Sequence, residues 1–239
     1  PIVSNPFITF GGVLIERLCS ALADMQVSSL VVDASERAAA PAELAQFDLA
    51  EGIEQLSPRV AYLAARGLPA RHADHRGSTA GFLDAVAEAA PFAQVVLVLG
   101  SAIELARLFG RPMPGTGAPR PLVLCDDRAE ALTHAYTALK LLAQRADWHA
   151  HDLLLAADPG SERALRVAQR LAHCAENFLG GVQRAWVAVG PSESAMTEPA
   201  PALVRMVQEL VTAGQVHAVR EAQPGPGTVL PAPFAGALN

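Results

Sequence analysis

Leu122-Val123-Leu124-Cys125 is followed by Asp126-Asp127 and then by Arg128-Ala129-Glu130-Ala131-Leu132-Thr133-His134-Ala135-Tyr136-Thr137-Ala138-Leu139-Lys140. The first four residues are continuously apolar and too few for a helix, which is how a strand buried on both faces reads. The acidic pair supplies the turn. Asp127 with Glu130 three residues later resembles a capping box, and Leu132, Ala135, Tyr136, Leu139 and Leu142 then share one face of a helix. A buried strand, a short turn and an amphipathic helix are the repeating unit of a parallel sheet covered by helices.

The same alternation extends in both directions. Ser29–Asp33, Val95–Leu99, Leu153–Ala157 and Ala185–Val189 read as further buried strands. Leu14, Leu18, Leu22 and Met25 repeat at helical spacing after Gly11-Gly12, and Ser78 stands as an N-cap before Phe82, Leu83 and Val86. A helix from Ser161 to Asn177 carries Leu165, Ala168, Leu171 and Ala175 and is closed by Gly180-Gly181. Pro201–Val211 reads as a last helix. Arg111–Pro121, with its prolines and glycines, reads as a loop, and Pro224–Asn239 as a mobile tail. The expected architecture is a three-layer αβα sandwich with a mostly parallel central sheet, one α/β domain over 1–222 and a Pro/Gly-rich tail over 223–239.

The 239 residues are 51 % hydrophobic and 18 % charged, enough apolar material for a large core and too little charge for general disorder. A formal net charge of −6 argues against a nucleic-acid binder that relies on a basic face. Lys140 is the sole lysine; every other cationic side chain apart from histidine is arginine. Cys19, Cys125 and Cys174 lie far apart inside apolar stretches, the pattern of buried free thiols in a reducing compartment. No run is long and apolar enough for a membrane-spanning helix, and Pro1-Ile2-Val3 lacks the layout of a signal peptide. A cytoplasmic protein is expected.

Ile8-Thr9-Phe10-Gly11-Gly12, a helix over Val13–Asp24 and a strand ending Val31-Val32-Asp33 form a glycine turn, helix and acid-ended strand. This unit, together with Leu122–Lys140, Phe178-Leu179-Gly180 and Val187-Ala188-Val189-Gly190, resembles the MinD/ParA-like (SIMIBI-class) P-loop ATPase family. Within that family the run from 122 to 190 is most similar to the flagellar-number regulator branch (FlhG/FleN type). The resemblance implies an ATP and Mg²⁺ site, partners that are proteins, and a role in placing or counting polar flagella.

The departures from the family are chemical. Its phosphate loop needs lysines and a Ser/Thr hydroxyl on Mg²⁺. Here Gly11-Gly12 run straight into Val13-Leu14-Ile15-Glu16-Arg17, and matched at Asp33 and the helix the loop is about four residues short of the phosphate-loop spacing. Arg17 is the nearest cation, projecting from the helix and a poor replacement. Leu99-Gly100-Ser101 stands where a Walker B aspartate should end its strand, and Ala156-Ala157 where an adenine-reading asparagine should stand. The expected site is therefore a degenerate one, with no catalytic residues, no metal and no bound cofactor. Gly11, Gly12, Arg17, Asp33, Gly100, Ser101, Asp126 and Asp127 are expected to line an interaction face at the carboxyl ends of the strands.

Each feature also has a plain structural reading. Gly11-Gly12 can be a tight turn, Asp33 an acidic strand end, and Ser78, Ser101 and Ser161 helix starts. His72-Ala73-Asp74-His75 and His149-Ala150-His151-Asp152 read as polar turns rather than metal sites. Tyr136 and Lys140 share a helix face and read as packing with a snorkelling lysine. In the last helix Arg205 and Glu209 cancel, which favours core packing over a membrane-binding face. No Asp-Gln-Ala activating segment of the flagellar branch precedes Pro1, so stimulation of a GTPase through it is not expected. The leading expectation is a non-hydrolysing regulatory or scaffold protein that pairs with itself or an intact relative, with recruitment to the membrane or cell pole left to a partner. The alternatives are an active ATPase using ATP and Mg²⁺ through an atypical phosphate site, and an accessory protein of cellulose or pilus secretion.

Overall fold

The computed structural model describes residues 1–110, 117–192 and 197–214. The expected tail over 223–239 and most of the Arg111–Pro121 loop lie outside the described residues. Eight strands form one sheet: β1 Ile2–Val3, β2 Ser29–Asp33, β3 Ile53–Ser57, β4 Val60–Ala64, β5 Val95–Gly100, β6 Leu122–Asp126, β7 Ala150–Ala156 and β8 Val182–Val189. Their order is β3-β4-β2-β5-β1-β6-β7-β8. Every pairing is parallel except β3 with β4, an antiparallel hairpin at one edge.

Six helices accompany the sheet: α1 Gly11–Asp24, α2 Gly81–Ala89, α3 Ala102–Phe109, α4 Ala129–Ala146, α5 Glu162–Leu179 and α6 Pro201–Thr212. Helices α2 to α5 pack side by side as one layer, while α1 packs against α6 as the other. Between them lies a core in which Leu14, Leu18, Leu30, Phe82, Leu122, Leu142 and Leu153 are almost wholly shielded from solvent. Each such side chain contributes on the order of 1.5–3 kcal/mol. β6 is buried at all five positions, as a central parallel strand must be.

Several boundaries differ from expectation, each for a local reason. A strand not expected from the sequence, Ile2–Val3, comes first: two residues suffice because Ile2 pairs with Leu99 on one side and Leu122 on the other. No capping box opens α4. Its N-cap is Arg128, without a side-chain cap, and the Asp127 carboxylate lies 3.0 Å from Arg163 Nε instead. The capping box belongs to α3, where Ser101 and Glu104 bond each other's backbone N–H. Ser78 stands two residues before the N-cap of α2, Ala80, whose N–H it accepts at 3.3 Å. His151 and Asp152 are part of β7 and buried, not a polar turn before it. The C-terminus of α5 is as expected, with Gly180 left-handed at φ 61°.

Candidate functional site

Between β1 and α1 the chain runs through Ser4–Phe10. With the second glycine of the G-x-x-x-x-G-K-[ST] phosphate-loop pattern laid on Gly11, the first falls on Pro6, the lysine on Gly12 and the hydroxyl residue on Val13. The connection therefore has the full span of such a loop, and the expectation that it is about four residues short is corrected. What differs is chemistry: Pro6 has no N–H to offer, Gly12 no cation and Val13 no hydroxyl.

The loop is held by side chains from within and from the N-cap of α4. Asn5, almost fully buried, donates from Nδ2 to the Leu124 carbonyl at 3.1 Å and the Ala131 carbonyl at 2.9 Å, and its Oδ1 accepts from Phe7 N–H at 3.1 Å. Arg128 donates from its guanidinium to the Phe7 carbonyl. Ile8 is buried, and a Cβ placed on Gly11 would stand 3.2 Å from its Cδ1. An apolar side chain thus lies against the first turn of α1, where a phosphate loop presents backbone N–H groups to an anion.

A cavity of about 840 Å³ opens beside this loop. Asp33 ends β2 in its wall, level with Leu99 of β5. The Asp33 carboxylate accepts from Ser35 N–H at 3.0 Å and from the Tyr62 hydroxyl at 3.4 Å. Burial, and the charge of Asp33 beside it, push the Tyr62 phenol up to about 12, so it stays a donor at neutral pH. His134 reaches the cavity from α4 with its ring 5.7 Å from that of Phe7, and burial holds its imidazole below the usual value against the pull of Glu36. Cys19 also lines the cavity, its thiol raised to about 11 by burial.

Of the residues expected on one face, Gly11, Gly12, Asp33 and Ser101 do share this cavity. Gly100 lies next to it, with its carbonyl accepting from Ser4 N–H at 2.9 Å. Asp126 is buried and committed to Arg128, whose Nε and Nη2 lie 2.8 and 2.7 Å from Oδ2. Asp127 faces a separate groove between α4 and α5, 3.0 Å from Arg163 Nε. Arg17, expected on this face, is not part of it, nor is it placed to meet a phosphate there. It is fully buried, does not line the cavity, and donates to the carbonyls of Thr197 at 2.5 Å and Glu198 at 3.2 Å, anchoring the approach to α6.

Sequence reading missed Asn5, Tyr62 and His134. The Asn5-Pro6 dipeptide after Ile2-Val3 is a turn signal that could have located the end of β1. Of the histidine clusters, Asp74 spends its carboxylate on the N–H groups of Arg76 and Ser78, and His72 packs edge-on to Phe82. Among the described residues no three His, Cys, Asp or Glu side chains converge as metal ligands, and no helix is long and apolar enough to cross a membrane.

No family model and no curated protein matches the chain. Solved structures do. MinD of the MinC:MinD cell division complex of Aquifex aeolicus superposes with a TM-score of 0.55 at 12 % identity, covering 91 % of this chain and 96 % of that one. McdA of Cyanothece, in an ATP complex, gives 0.54 at 9 % identity over 91 % and 97 %. Cobyrinic acid a,c-diamide synthase of Mycobacterium smegmatis, with ADP and magnesium, gives 0.57 at 12 % over 88 % and 92 %. At these identities the likeness is one of fold, and the chain has the α/β fold of MinD, McdA and cobyrinic acid a,c-diamide synthase across nearly its whole described length.

Proposed function

We propose that this chain is a regulatory or scaffold protein on the MinD-like fold that works through protein contacts and does not hydrolyse a nucleoside triphosphate. One observation carries the reading: the Ser4–Phe10 connection keeps the span of a phosphate loop while Pro6, Gly12 and Val13 occupy its glycine, lysine and hydroxyl positions. Leu99 and Ser101 at the end of β5, and Ala156 at the end of β7, extend the loss to two further strands. A fold needs only its apolar pattern, whereas triphosphate chemistry needs particular cations at particular places. The solved complex of MinD with MinC supports a protein as the partner class; flagellar placement as the process rests on the sequence resemblance of residues 122–190 alone.

The test is titration of the purified protein with Mg-ATP and Mg-ADP, followed calorimetrically and beside its mass in solution. No heat up to millimolar nucleotide and an unchanged mass are expected. Micromolar binding with ATP-dependent dimerisation overturns the reading and restores an ATPase switch. Co-purification with cellulose or pilus secretion components, in place of flagellar ones, overturns the assignment of process alone.

A further inference from the structure

The cavity beside Asp33 continues as a groove along one flank of α1. Ile15, Cys19 and Ala23 succeed one another at helical spacing on that flank, a run of about 12 Å at 1.5 Å per residue. The opposite wall is the sheet itself. Val31, Val60 and Tyr62 point into it, with Leu56 of β3 at the edge. This side of the sheet is incompletely covered: along β4, Ala61 and Leu63 are fully buried while Val60, Tyr62 and Ala64, on the other face, are half-buried. Along β5, Leu97 and Leu99 are likewise half-buried, and Leu56 of β3 is 61 % exposed.

Polarity changes along the groove. The end near Ala23 and Val60 is uncharged and mainly apolar, with Leu56 and Val60 beside the small hydroxyl residues Ser20 and Ser57. The end at the carboxyl edge of the sheet carries Glu16, Asp33 and Glu36 against Arg37 as the one guanidinium of the lining. Three carboxylates at the mouth repel a polyphosphate and attract a cation, and Asp33 is held in place by Tyr62 and Ser35. The volume, about 840 Å³, is in the range of sites that enclose a small organic ligand.

We propose that this groove binds an amphiphilic cation, with a straight apolar body laid along α1 over Val31, Val60 and Tyr62 and an ammonium or guanidinium head among Asp33, Glu16 and Glu36. The head gains a charge-assisted contact with an already oriented carboxylate, and the body covers apolar surface that α1 and α6 leave open. This does not rest on the scaffold reading, which Mg-ATP titration decides separately.

The experiment compares decylammonium with decanoate, the same chain bearing the opposite charge, by calorimetric titration of the full chain below micellar concentration. Decylammonium is expected to bind about tenfold or more tightly than decanoate, the difference one charge-assisted contact makes. Asp33→Asn is expected to remove most of that preference, and the exposed Glu36→Gln part of it should Asp33→Asn fold poorly. Ala23→Trp, which fills the apolar end, is expected to abolish binding of the amine while the thermal transition persists. Equal affinity for the two probes, no binding of either, or a solution dimer that closes the groove to both overturns the proposal.

Discussion

Asp126 was expected at an exposed interaction face, and its surroundings give it a different task. Its Oδ1 takes the Arg128 N–H, its Oδ2 takes the Arg128 guanidinium, and that guanidinium in turn holds the Phe7 carbonyl. One carboxylate therefore ties the start of α4 to the loop after β1. Asp126→Ala leaves these donors without their acceptor; because Arg128 is partly solvated, the expected loss is about 2 kcal/mol, below the full penalty of a broken buried pair. Urea denaturation measures it, and an unchanged midpoint would show the tie to be idle.

His151 provides a pH test at the same scale. It is buried beside Gln183 of β8, and burial lowers its imidazole to about 4 from an ordinary 6.5. The unfolded chain therefore binds the extra proton first as pH falls. Stability from this group is complete above about 6.5 and is lost as pH drops toward 4, by about 2 kcal/mol between pH 7.5 and 5. Asp152, on the other side of the strand, acts in the opposite sense, since burial raises its carboxyl despite Arg120 at 2.7 Å. His151→Gln is accordingly expected to be less acid-sensitive than the parent in chemical denaturation at the two pH values. Equal slopes for the two proteins would refute a neutral buried imidazole.

At the scale of elements, continuous apolar runs made β2, β5, β6 and β7 legible in the sequence, and helical spacing did the same for α1, α4 and α5. β4, Val60-Ala61-Tyr62-Leu63-Ala64, was passed over although it is such a run; the other missed elements lacked the signal. β1 has two residues and takes its stability from neighbours on both sides, which no local window contains. β3 reads Ile53-Glu54-Gln55-Leu56-Ser57, largely exposed at an edge with a bulge near Gln55, so it has neither alternation nor an apolar run. α3 is eight residues and was read only as a serine helix start. Of the residues named from the sequence, Gly11, Gly12, Asp33 and Ser101 line one cavity while Arg17, Asp126 and Asp127 lie apart from it, and an unrecognised β1 hid the length of the loop.

Two glycines test this packing in opposite directions. The short turns Leu44–Gln46 and Leu49–Gly52 lead into β3, and a Cβ on Gly52 would stand 2.4 Å from that of Ala45 and 3.0 Å from Leu63 Cδ1. Gly52→Ala must push these segments apart and is expected to destabilise by about 1–3 kcal/mol. A Cβ on Gly12 meets nothing within 4 Å in the first turn of α1. Gly12→Ala is expected to stabilise by about 0.5–1 kcal/mol through helix propensity. Thermal melts of the two variants should therefore shift in opposite directions, and a shared direction would contradict the packing at one of them.

Over the whole molecule, the family resemblance implies a nucleotide site assembled from the loop after β1 and the ends of β5 and β7, elements that meet only through the sheet, and the function proposed above takes all three parts as lost. Its parts act together, so replacing one missing group does not restore the function. Gly12→Lys puts a cation where the phosphate-loop pattern has one, and the open space around Gly12 admits the side chain. Ile8 still covers the first turn of α1, Pro6 still lacks its N–H, and Leu99 and Ser101 still hold the place of an acid. The variant is therefore expected to fold and to gain no more than millimolar affinity for Mg-ATP. A micromolar site would raise stability by about 4 kcal/mol at millimolar nucleotide and lift the melting temperature by roughly 8–16 °C in a chain of this size. Melting with and without Mg-ATP should instead differ by about 1 °C or less for both parent and variant. A large shift in the variant alone would mean that one missing cation, rather than a loss spread over three strands, separates this chain from nucleotide binding.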